Sequence, residues 1–585
     1  MNERDARLRP YLEAIPEIIK YQIVTKALLS VWLFLLGRLN RLLLNSAGRV
    51  AVTSGDFMFL FTTWQGILMI VITVFSLFVY VGVDLNSKII LSDNLLRGKE
   101  QPLLTTVSQA VRSLRSMISI QGIAVCFYIA LIAPLVGVGL SISLTASFYI
   151  PTFITSVIAS TPLYLILTTA AALLFASAGA ANLFILHGAV IDHLPLKEAG
   201  EQSRKLMREN WKDYLRQNVF FILVMTAVLA SAVLLVLVLP LFLTDILPLA
   251  NGIKRFLTIF FVLLGVLLSL GTEMIGVTIY IMKMTQLYHL YRDGENLEYR
   301  ERPIHTHSYD KYGVLAALIL LIGFTVYLDR NFESLFPLDS RVRIIAHRAG
   351  GAEGAENTIA GLDAAVNLGA YGSEIDIQRT KDGYYILNHD DSFSRVAGDK
   401  RKPSEMTLAN IRDLSVDGEP IPTYEEILEA SRGRIILFTE LKGETADRQM
   451  ADDAVRIIRE YGMQDEVVLI SLKYELIDYI ETAYPEMQTG FLTFAAFGET
   501  EKLNCDFLAL EEESADNGSI RTVHNQGKKV LIWTVNKKDA QRHFFCSGAD
   551  AVITDNVAQA NQVKQELHNR SDLRRMADRI RELIS

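Results

Sequence analysis

The chain has 585 residues, a net charge of −8 and three cysteines, and 50% of its residues are apolar. So few cysteines, with no C-x-x-C pair among them, argue against a zinc ribbon or a disulfide framework, and an acidic chain argues against nucleic-acid binding. The apolar residues are concentrated in the first 330 positions, whereas residues 337–585 hold 30 Lys and Arg against 43 Asp and Glu. This composition predicts a multi-span α-helical membrane domain, residues 1–335, followed by an acidic soluble domain, residues 336–585.

Six apolar segments are long enough to cross a hydrocarbon core of about 30 Å. They cover residues 57–83, 117–140, 161–187, 219–244, 256–282 and 312–328. A seventh segment, residues 22–46, precedes them, but Arg38 and Arg41 interrupt it, and charges are costly inside a bilayer. This first segment is therefore either a further span or an amphipathic helix that lies in the membrane interface.

The basic residues in the connections predict the orientation of the spans. Three alternate connections, residues 84–116, 188–218 and 283–311, carry five or six Lys and Arg each. The connections between them are poor in positive charge, since residues 141–160 have none. Basic connections stay in the cytoplasm, so the last span leads the chain outward. We therefore expect a multi-pass protein of the plasma membrane whose soluble domain is extracellular.

The soluble part alternates short β-branched segments with helical patterns. Eight strands are predicted, at Arg343–His347, Ser373–Gln378, Ile435–Leu441, Val467–Ser471, Thr489–Leu492, Phe507–Leu510, Val530–Val535 and Ala551–Thr554. Strands that alternate with helices indicate a parallel sheet. Eight of them in about 230 residues predict an α/β fold of the (β/α)8 TIM-barrel type, with a doubly wound open sheet as the structural alternative.

Carboxylates mark the ends of two predicted strands. Glu374 and Asp376 are spaced i, i+2, so both side chains point to the same face of their strand. Glu440 and Lys442 repeat this spacing at the end of another strand. Three carboxylates inside a barrel repel one another unless a cation binds between them, and Mg²⁺ or Ca²⁺ prefers such oxygen ligands. We therefore expect a site for a divalent cation.

Two histidines lie close to these strands in the sequence. His347 ends the first predicted strand and is followed by Arg348, which is suited to a bidentate contact with phosphate. His389 follows an extended segment that begins after the Asp382-Gly383 turn. One histidine could supply a general acid and the other a general base.

The ordered set of motifs resembles the glycerophosphodiester phosphodiesterase family, over residues 343 to about 560. The family's H-R-G, P-E-N-T, E-x-D, H-D and E-x-K elements correspond to His347-Arg348-Ala349, Ala355-Glu356-Asn357-Thr358, Glu374-Ile375-Asp376, His389-Asp390 and Glu440-Leu441-Lys442. Trp533-Thr534-Val535-Asn536 and Thr554-Asp555 look like its closing motifs. Ala349 and Ala355 depart from the family's Gly and Pro, and we expect Gly350-Gly351 to supply the backbone freedom that Ala349 lacks. The first half also looks like the domain found with membrane-bound members.

The resemblance implies a role for each matching residue. Glu374, Asp376 and Glu440 would bind the divalent cation, and His347 and His389 would be the general acid and base. Arg348 and Lys442 would bind the substrate phosphate, with Glu356, Asn357 and Trp533 in supporting positions. The implied reaction is hydrolysis of glycerophosphodiesters to sn-glycerol 3-phosphate and an alcohol, with a lipoteichoic-acid-like polymer as a further candidate substrate.

Two other functions compete with this interpretation. Related barrels cleave intact lipids as phospholipases C or D, and a substrate of that kind would suit a membrane-bound enzyme. Alternatively, the membrane domain is a transporter or lipid carrier and the barrel is an accessory. The E-x-K element and the closing motifs favour the water-soluble diester. The sequence leaves the alcohol head group, the metal used and the oligomeric state open.

Overall fold

The computed structural model describes residues 3–53, 57–99, 101–128, 158–294, 308–336, 340–494 and 496–584. The chain forms two compact units: the first holds residues up to Asn40 and Leu68–Asn331, and the second holds Arg41–Ile67 and the residues from Phe332 onward. The predicted domain limit between residues 335 and 336 stays a prediction.

The N-terminal half of the chain is helical. Its helices are Glu3–Ser46, Met58–Thr62, Trp64–Leu96, Leu103–Met117, Ile120–Phe127, Pro162–Ala181, Ile185–Ile191, Leu196–Val233, Leu239–Ile246, Asn251–Asp293 and Ser308–Arg330, with a π-helical turn at Leu234–Val238. Apolar side chains such as Phe78, Leu114 and Ile281 pack between the helices. Others, such as Ile166 and Leu173, are exposed, as expected of side chains that face lipid.

Within the described residues, five helical stretches are long and apolar enough to cross a membrane: Glu13–Ser46, Trp64–Leu96, Pro162–Ile191, Leu196–Ile246 and Asn251–Asp293. The first of these contains the segment 22–46, whose assignment the sequence left open. The helix Ser308–Arg330 contains the last predicted span. Half of the predicted span 117–140, from residue 129 onward, lies outside the described residues.

Eight parallel strands close into a barrel, which confirms the TIM-barrel prediction. The strands are β2 (Arg343–Ala346), β3 (Gly372–Arg379), β7 (Ile436–Leu441), β8 (Val467–Ser471), β9 (Gln488–Thr493), β11 (Phe507–Glu511), β12 (Lys529–Trp533) and β13 (Ala551–Thr554). β13 pairs with β2, and β2 pairs with β3, so the sheet has no open edge. This closure excludes the doubly wound alternative.

Helices surround this sheet, because their apolar faces need the outer face of the strands. They are Phe332–Leu335, Ile359–Asn367, Ser394–Ala397, Leu408–Ile411, Tyr424–Ser431, Arg448–Tyr461, Tyr474–Ala483, Asn517–His524, Lys538–Cys546, Val557–His568 and Asp572–Ile584. Arg448–Tyr461 shows how the sequence sets their limits. Asp447 accepts a hydrogen bond from the Met450 amide at its start, and Gly462 ends it with a φ of 64°.

Side chains alternate between the two faces of each barrel strand. On β2, Ile345 points into the barrel, while Ile344 and Ala346 pack outward. On β3, Ile375 and Ile377 pack outward, so Glu374 and Asp376 point inward, as their spacing predicted. Apolar side chains fill the rest of the interior, which leaves the polar groups at its carboxyl end.

Three smaller pairings complete the second unit. β4 (Tyr385–Leu387) lies antiparallel to β3, and β5 (Ser415–Val416) pairs with β6 (Glu419–Pro420). β1 (Ala51–Thr53) comes from the N-terminal part of the chain and pairs with β10 (Ala496–Gly498), in the connection that follows β9. Three residues are too few to show a strand period, so this last pairing has no signal in the sequence.

Candidate active site at the carboxyl end of the barrel

The residues singled out in the sequence lie at the carboxyl ends of the first barrel strands. His347 and Arg348 directly follow β2, Glu374 and Asp376 lie on β3, and Glu440 lies on β7. In a barrel of parallel strands these ends share one rim, so residues distant in the chain become neighbours. The structure brings the predicted residues together at this rim.

Glu374, Asp376 and Glu440 form one buried cluster. One carboxylate oxygen from each residue lies within 4.8 Å of the others, and all three side chains are buried. Burial and the neighbouring carboxylates raise the pKa of Glu374 well above its ordinary value. Burial also raises the pKa of Glu440, to about 7. Burial is the main cause of both shifts and nearby carboxylates add to it, so the ionised cluster needs positive charge beside it.

Lys442 compensates only part of this charge. Its Nζ donates to Oδ1 of Asp376 at 2.9 Å and to Oε2 of Glu440 at 3.0 Å. Burial opposes ionisation of Asp376, yet Lys442 holds the pKa of that carboxyl below its ordinary value. Three carboxylates and one ammonium leave two negative charges, which one divalent cation would balance. The oxygen ligands and the charge therefore fit Mg²⁺ or Ca²⁺.

Asn357 holds Asp376 in place within this cluster. Its side-chain nitrogen donates to Oδ2 of Asp376 at 2.9 Å, and its side-chain oxygen accepts from the Asp376 amide at 3.1 Å. Asn357 itself has a φ of 54°, a left-handed backbone that Asn tolerates better than most residues. The predicted supporting residue thus contacts a predicted metal ligand from two directions.

His347 is oriented by a carboxylate that lies 208 positions further along the chain. Its Nδ1 lies 2.6 Å from Oδ1 of Asp555, and its Nε2 lies 3.9 Å from Oε2 of Glu374. Asn536 donates to Asp555 and accepts a bond from its amide, which fixes that carboxylate. Burial would raise the pKa of Asp555, but the hydrogen bond with His347 lowers it, so the carboxylate stays ionised.

His389 has a carboxylate partner of its own. Its Nδ1 lies 2.7 Å from Oδ1 of Asp390, and Oδ2 of the same carboxylate accepts a hydrogen bond from Nε of Arg395 at 2.8 Å. Burial lowers the pKa of His389 below its ordinary value. The Asp376 carboxylate opposes this shift, and the charges of Lys442 and Arg348 add to it. The ring centroids of His347 and His389 are 6.5 Å apart, so the two imidazoles border the same space.

Arg348 offers a donor that the described residues leave unused. One of its terminal nitrogens donates to Glu356 at 3.2 Å, and Glu356 also accepts two bonds from Arg395. The buried Nε of Arg348 has no hydrogen-bond partner among the described residues. A buried donor without a partner is costly, and a phosphate oxygen would satisfy it.

The backbone after β2 is left-handed at three positions. Arg348 and Ala349 have φ of 49° and 74°, and Gly351 has φ of 64°. The two glycines also allow close approach of other backbone segments. A Cβ on Gly351 would lie 2.3 Å from the carbonyl oxygen of Asp555, and one on Gly350 would lie 2.4 Å from that of Gly361.

Trp533 lies at the carboxyl end of β12, where its ring packs against the side chains that fill the barrel. Its Nε1 donates to the carbonyl oxygen of Ala509 at 3.0 Å, so the indole is tied to the neighbouring strand β11. This contact fits the supporting position expected from the sequence.

Sequence patterns assigned no role to four residues that contact the histidines or their partners: Asp390, Arg395, Asn536 and Asp555. Asp390 and Asp555 each follow a strand and lie inside a motif quoted above, which was the available signal. The histidine partner of Asp555 could not be read from the chain, because Asp555 and His347 meet only through the pairing of β13 with β2.

Comparison with known proteins gives matches for both halves of the chain. A model described as "Membrane domain of glycerophosphoryl diester phosphodiesterase" matches residues 10–327, and one described as "Glycerophosphoryl diester phosphodiesterase family" matches residues 347–559. A glycerophosphodiester phosphodiesterase of Caldanaerobacter subterraneus is 27% identical over 229 residues, which cover 36% of this chain and 93% of that protein. YhdW of Bacillus subtilis is 25% identical over 227 residues, covering 36% of this chain and 93% of YhdW.

Among solved structures, a phosphodiesterase of Oleispira antarctica in complex with the product sn-glycerol-3-phosphate is similar to the barrel. It is 25% identical, with a TM-score of 0.36, and the match covers 38% of this chain and 96% of that one.

Proposed function

Because the chain belongs to the membrane-bound glycerophosphoryl diester phosphodiesterase family, we propose that it hydrolyses glycerophosphodiesters to sn-glycerol 3-phosphate and an alcohol, with a divalent cation, at the outer face of the plasma membrane. The observation that carries the proposal is the cluster of Glu374, Asp376 and Glu440, with its excess of negative charge, beside two histidines whose rings are 6.5 Å apart. Hydrolysis of a phosphodiester by the proposed mechanism uses a cation, a general acid and a general base, and this site supplies residues for all three.

The three carboxylates would hold Mg²⁺ or Ca²⁺. A bound divalent cation stabilises the charge that develops on the phosphoryl oxygens. Lys442 already bridges Asp376 and Glu440, so its ammonium lies at the edge of the cation site, where it can also contact a phosphate oxygen. Asn357 keeps Asp376 in a fixed orientation toward this site.

Arg348 binds the substrate phosphate in this proposal. Its guanidinium is anchored at one terminal nitrogen by Glu356, and its buried Nε is directed to no described partner. A guanidinium held in this way is preorganised for a phosphate oxygen, because its position does not have to be fixed when the substrate binds.

The two histidines divide the proton transfers. Burial lowers the pKa of His389 and favours the neutral ring, so His389 takes the proton of the glycerol 2-hydroxyl as its oxygen attacks phosphorus. Asp555 binds Nδ1 of His347 and leaves its Nε2 for the substrate, so His347 gives a proton to the departing alcohol oxygen. Water then opens the cyclic phosphate, with the two roles reversed.

The outward orientation is supported by the basic connections that precede the last span. Residues 84–116, 188–218 and 283–311 would all have to cross the membrane if the barrel were cytoplasmic, and basic segments resist that transfer.

One assay tests the proposed reaction. The full chain, purified in detergent, would be incubated with glycerophosphocholine, glycerophosphoethanolamine, a lysolipid, intact phosphatidylcholine and lipoteichoic acid, with and without Mg²⁺ or Ca²⁺. We expect sn-glycerol 3-phosphate from the water-soluble diesters only when a cation is added. Cleavage of intact lipid without cleavage of the soluble diesters would overturn the proposal in favour of a phospholipase.

A further inference from the structure

A cavity of about 700 Å³ lies within the first unit, far along the chain from the catalytic residues. Its walls come from the end of the helix Trp64–Leu96 and the residues after it, from the helix Leu103–Met117, and from residues 189–191 and 193. These walls belong to two of the basic connections identified in the sequence. None of its residues takes part in the proposed hydrolysis, so the cavity needs its own explanation.

The charge that lines this cavity is positive. Lys99, Arg112 and Arg115 contribute three basic side chains, and Asp93 is the single acidic residue among the described lining residues. Asp93 is already compensated, because its Oδ1 accepts from Arg97 at 3.0 Å and lies 2.7 Å from Nε2 of His289. The described residues provide no ion-pair partner for Arg112 or Arg115. An anion that enters this cavity would therefore be attracted by several cations at once.

The remaining lining residues are polar on one side and apolar on the other. Gln101, Gln109 and Ser116 provide hydrogen-bonding groups beside the basic residues, whereas Ile90, Val190 and Ile191 form an apolar wall. A small inorganic anion would use only the polar part of a cavity of this size. A ligand with a charged head and an apolar body would fill both parts.

The helix Leu103–Met117 indicates what such a ligand is. It buries Thr106, Ala110 and Leu114 on one face. On another face it exposes Leu104 and Val111, which are seven residues apart, and Ile118 continues this stripe just after the helix. Exposed apolar residues next to arginines are typical of a helix that lies in the membrane interface, with its apolar stripe in the acyl chains and its cations among the phosphates.

We propose that this cavity binds the phosphate-bearing head group of an anionic phospholipid, with the acyl chains along the stripe of Leu104, Val111 and Ile118. Arg112 and Arg115 hold the phosphate. The net positive lining selects an anionic lipid over a zwitterionic one, because the quaternary ammonium of phosphatidylcholine would meet the same cations. This proposal does not depend on the catalytic activity of the barrel.

Native mass spectrometry of the full chain in mild detergent tests the proposal. Phosphatidylglycerol is expected to bind as one tightly held lipid, and phosphatidylcholine more weakly. The double variant Arg112→Gln/Arg115→Gln is expected to weaken phosphatidylglycerol binding roughly 10- to 30-fold, since each basic residue near a lipid surface contributes about a factor of five. Both arginines are exposed, so the variant should fold, which circular dichroism and gel filtration check.

The matched control is Lys205→Gln/Arg208→Gln, which removes two exposed basic residues with the same spacing from the helix Leu196–Val233, outside the cavity. It is expected to bind phosphatidylglycerol as the parent does. An equal loss in this control, or equal binding of the two lipids, would overturn the proposal in favour of diffuse attraction. Displacement of the lipid by millimolar inorganic phosphate would overturn the lipid assignment in favour of a soluble anion.

Discussion

Nδ1 of His347 lies 2.6 Å from Oδ1 of Asp555, although 208 positions separate the two residues in the chain. A carboxylate only accepts hydrogen bonds, so the imidazole hydrogen lies on Nδ1 when the ring is neutral, and Nε2 is directed toward the carboxylate cluster. Asp555 is not one of the three clustered carboxylates. It acts through His347, and its loss should affect proton transfer rather than substrate binding.

The first prediction concerns Asp555→Asn. The amide can donate as well as accept, so it no longer enforces the tautomer of His347 or stabilises the protonated ring. We expect kcat to fall at least about tenfold, but less than the roughly 10²- to 10⁴-fold loss expected for removal of the histidine. KM should change little. Steady-state kinetics on glycerophosphocholine measure both constants.

Asp550→Asn is the matched control for this change. Asp550 precedes β13, and its Oδ2 lies 2.8 Å from Nε2 of His524. The substitution therefore alters a comparable Asp-His pair at the opposite end of the same strand. Its kcat should stay near the parental value. A large rise in KM for Asp555→Asn, with unchanged kcat, would contradict a positioning role.

The second prediction separates the two histidines. His347→Ala and His389→Ala should each lower turnover of glycerophosphocholine by roughly 10²- to 10⁴-fold while circular dichroism stays parental. With a p-nitrophenyl diester of glycerol phosphate, the leaving group needs no proton. His347→Ala should therefore recover most of its rate of p-nitrophenolate release, measured in the first turnover before the cyclic phosphate is opened, whereas His389→Ala should not. Equal losses of both variants on both substrates would refute the assignment of acid and base.

The third prediction concerns the cation. Removal of divalent ions by a chelator should abolish activity, and Mg²⁺ or Ca²⁺ should restore it, because Glu374, Asp376 and Glu440 otherwise carry uncompensated charge. Because the cation binds the folded protein and not the unfolded chain, the unfolding temperature should also rise with increasing cation concentration. Glu440→Gln should need more cation for half-maximal activity. Glu444→Gln removes an exposed carboxylate nearby and should not. Full activity in metal-free protein would exclude the cation site.

The fourth prediction concerns the side of the membrane. Protease added to intact cells without a wall should digest the barrel, residues 337–585, because the last span leads outward. A tag at Met1 tests the first apolar segment in the same experiment. Seven crossings protect the tag, which is the expected result given Arg4, Arg7, Arg9 and Lys20, whereas six crossings expose it. Digestion of the barrel only after lysis would reverse the orientation.

Local sequence patterns were sufficient to predict where the barrel strands lie in the chain. Val467–Ser471 and Ala551–Thr554 have the predicted limits, and the other six differ by a few residues at their ends. Strand period and β-branched composition are properties of consecutive residues, so they are visible without a structure. The i, i+2 spacing likewise placed Glu374 and Asp376 on the inner face of β3 before the barrel was known.

Contacts between distant segments had no such signal. The pairing of β1 with β10, the left-handed backbone at Ala349 and the cavity beside Arg112 depend on neighbours far along the chain. The same is true of the partners that orient the two histidines, with the exception of Asp390, which is adjacent to His389.

The sequence by itself determined the strand-helix alternation, the apolar segments and the set of chemical groups at the carboxyl end of the barrel, because each of these follows from the types and spacing of nearby residues. Only the tertiary structure decided that Asp555 holds His347 and that Lys442 bridges Asp376 and Glu440. The physical reason is the closure of the barrel: pairing of β13 with β2 and of β3 with β7 sets distances across the rim that no local pattern specifies.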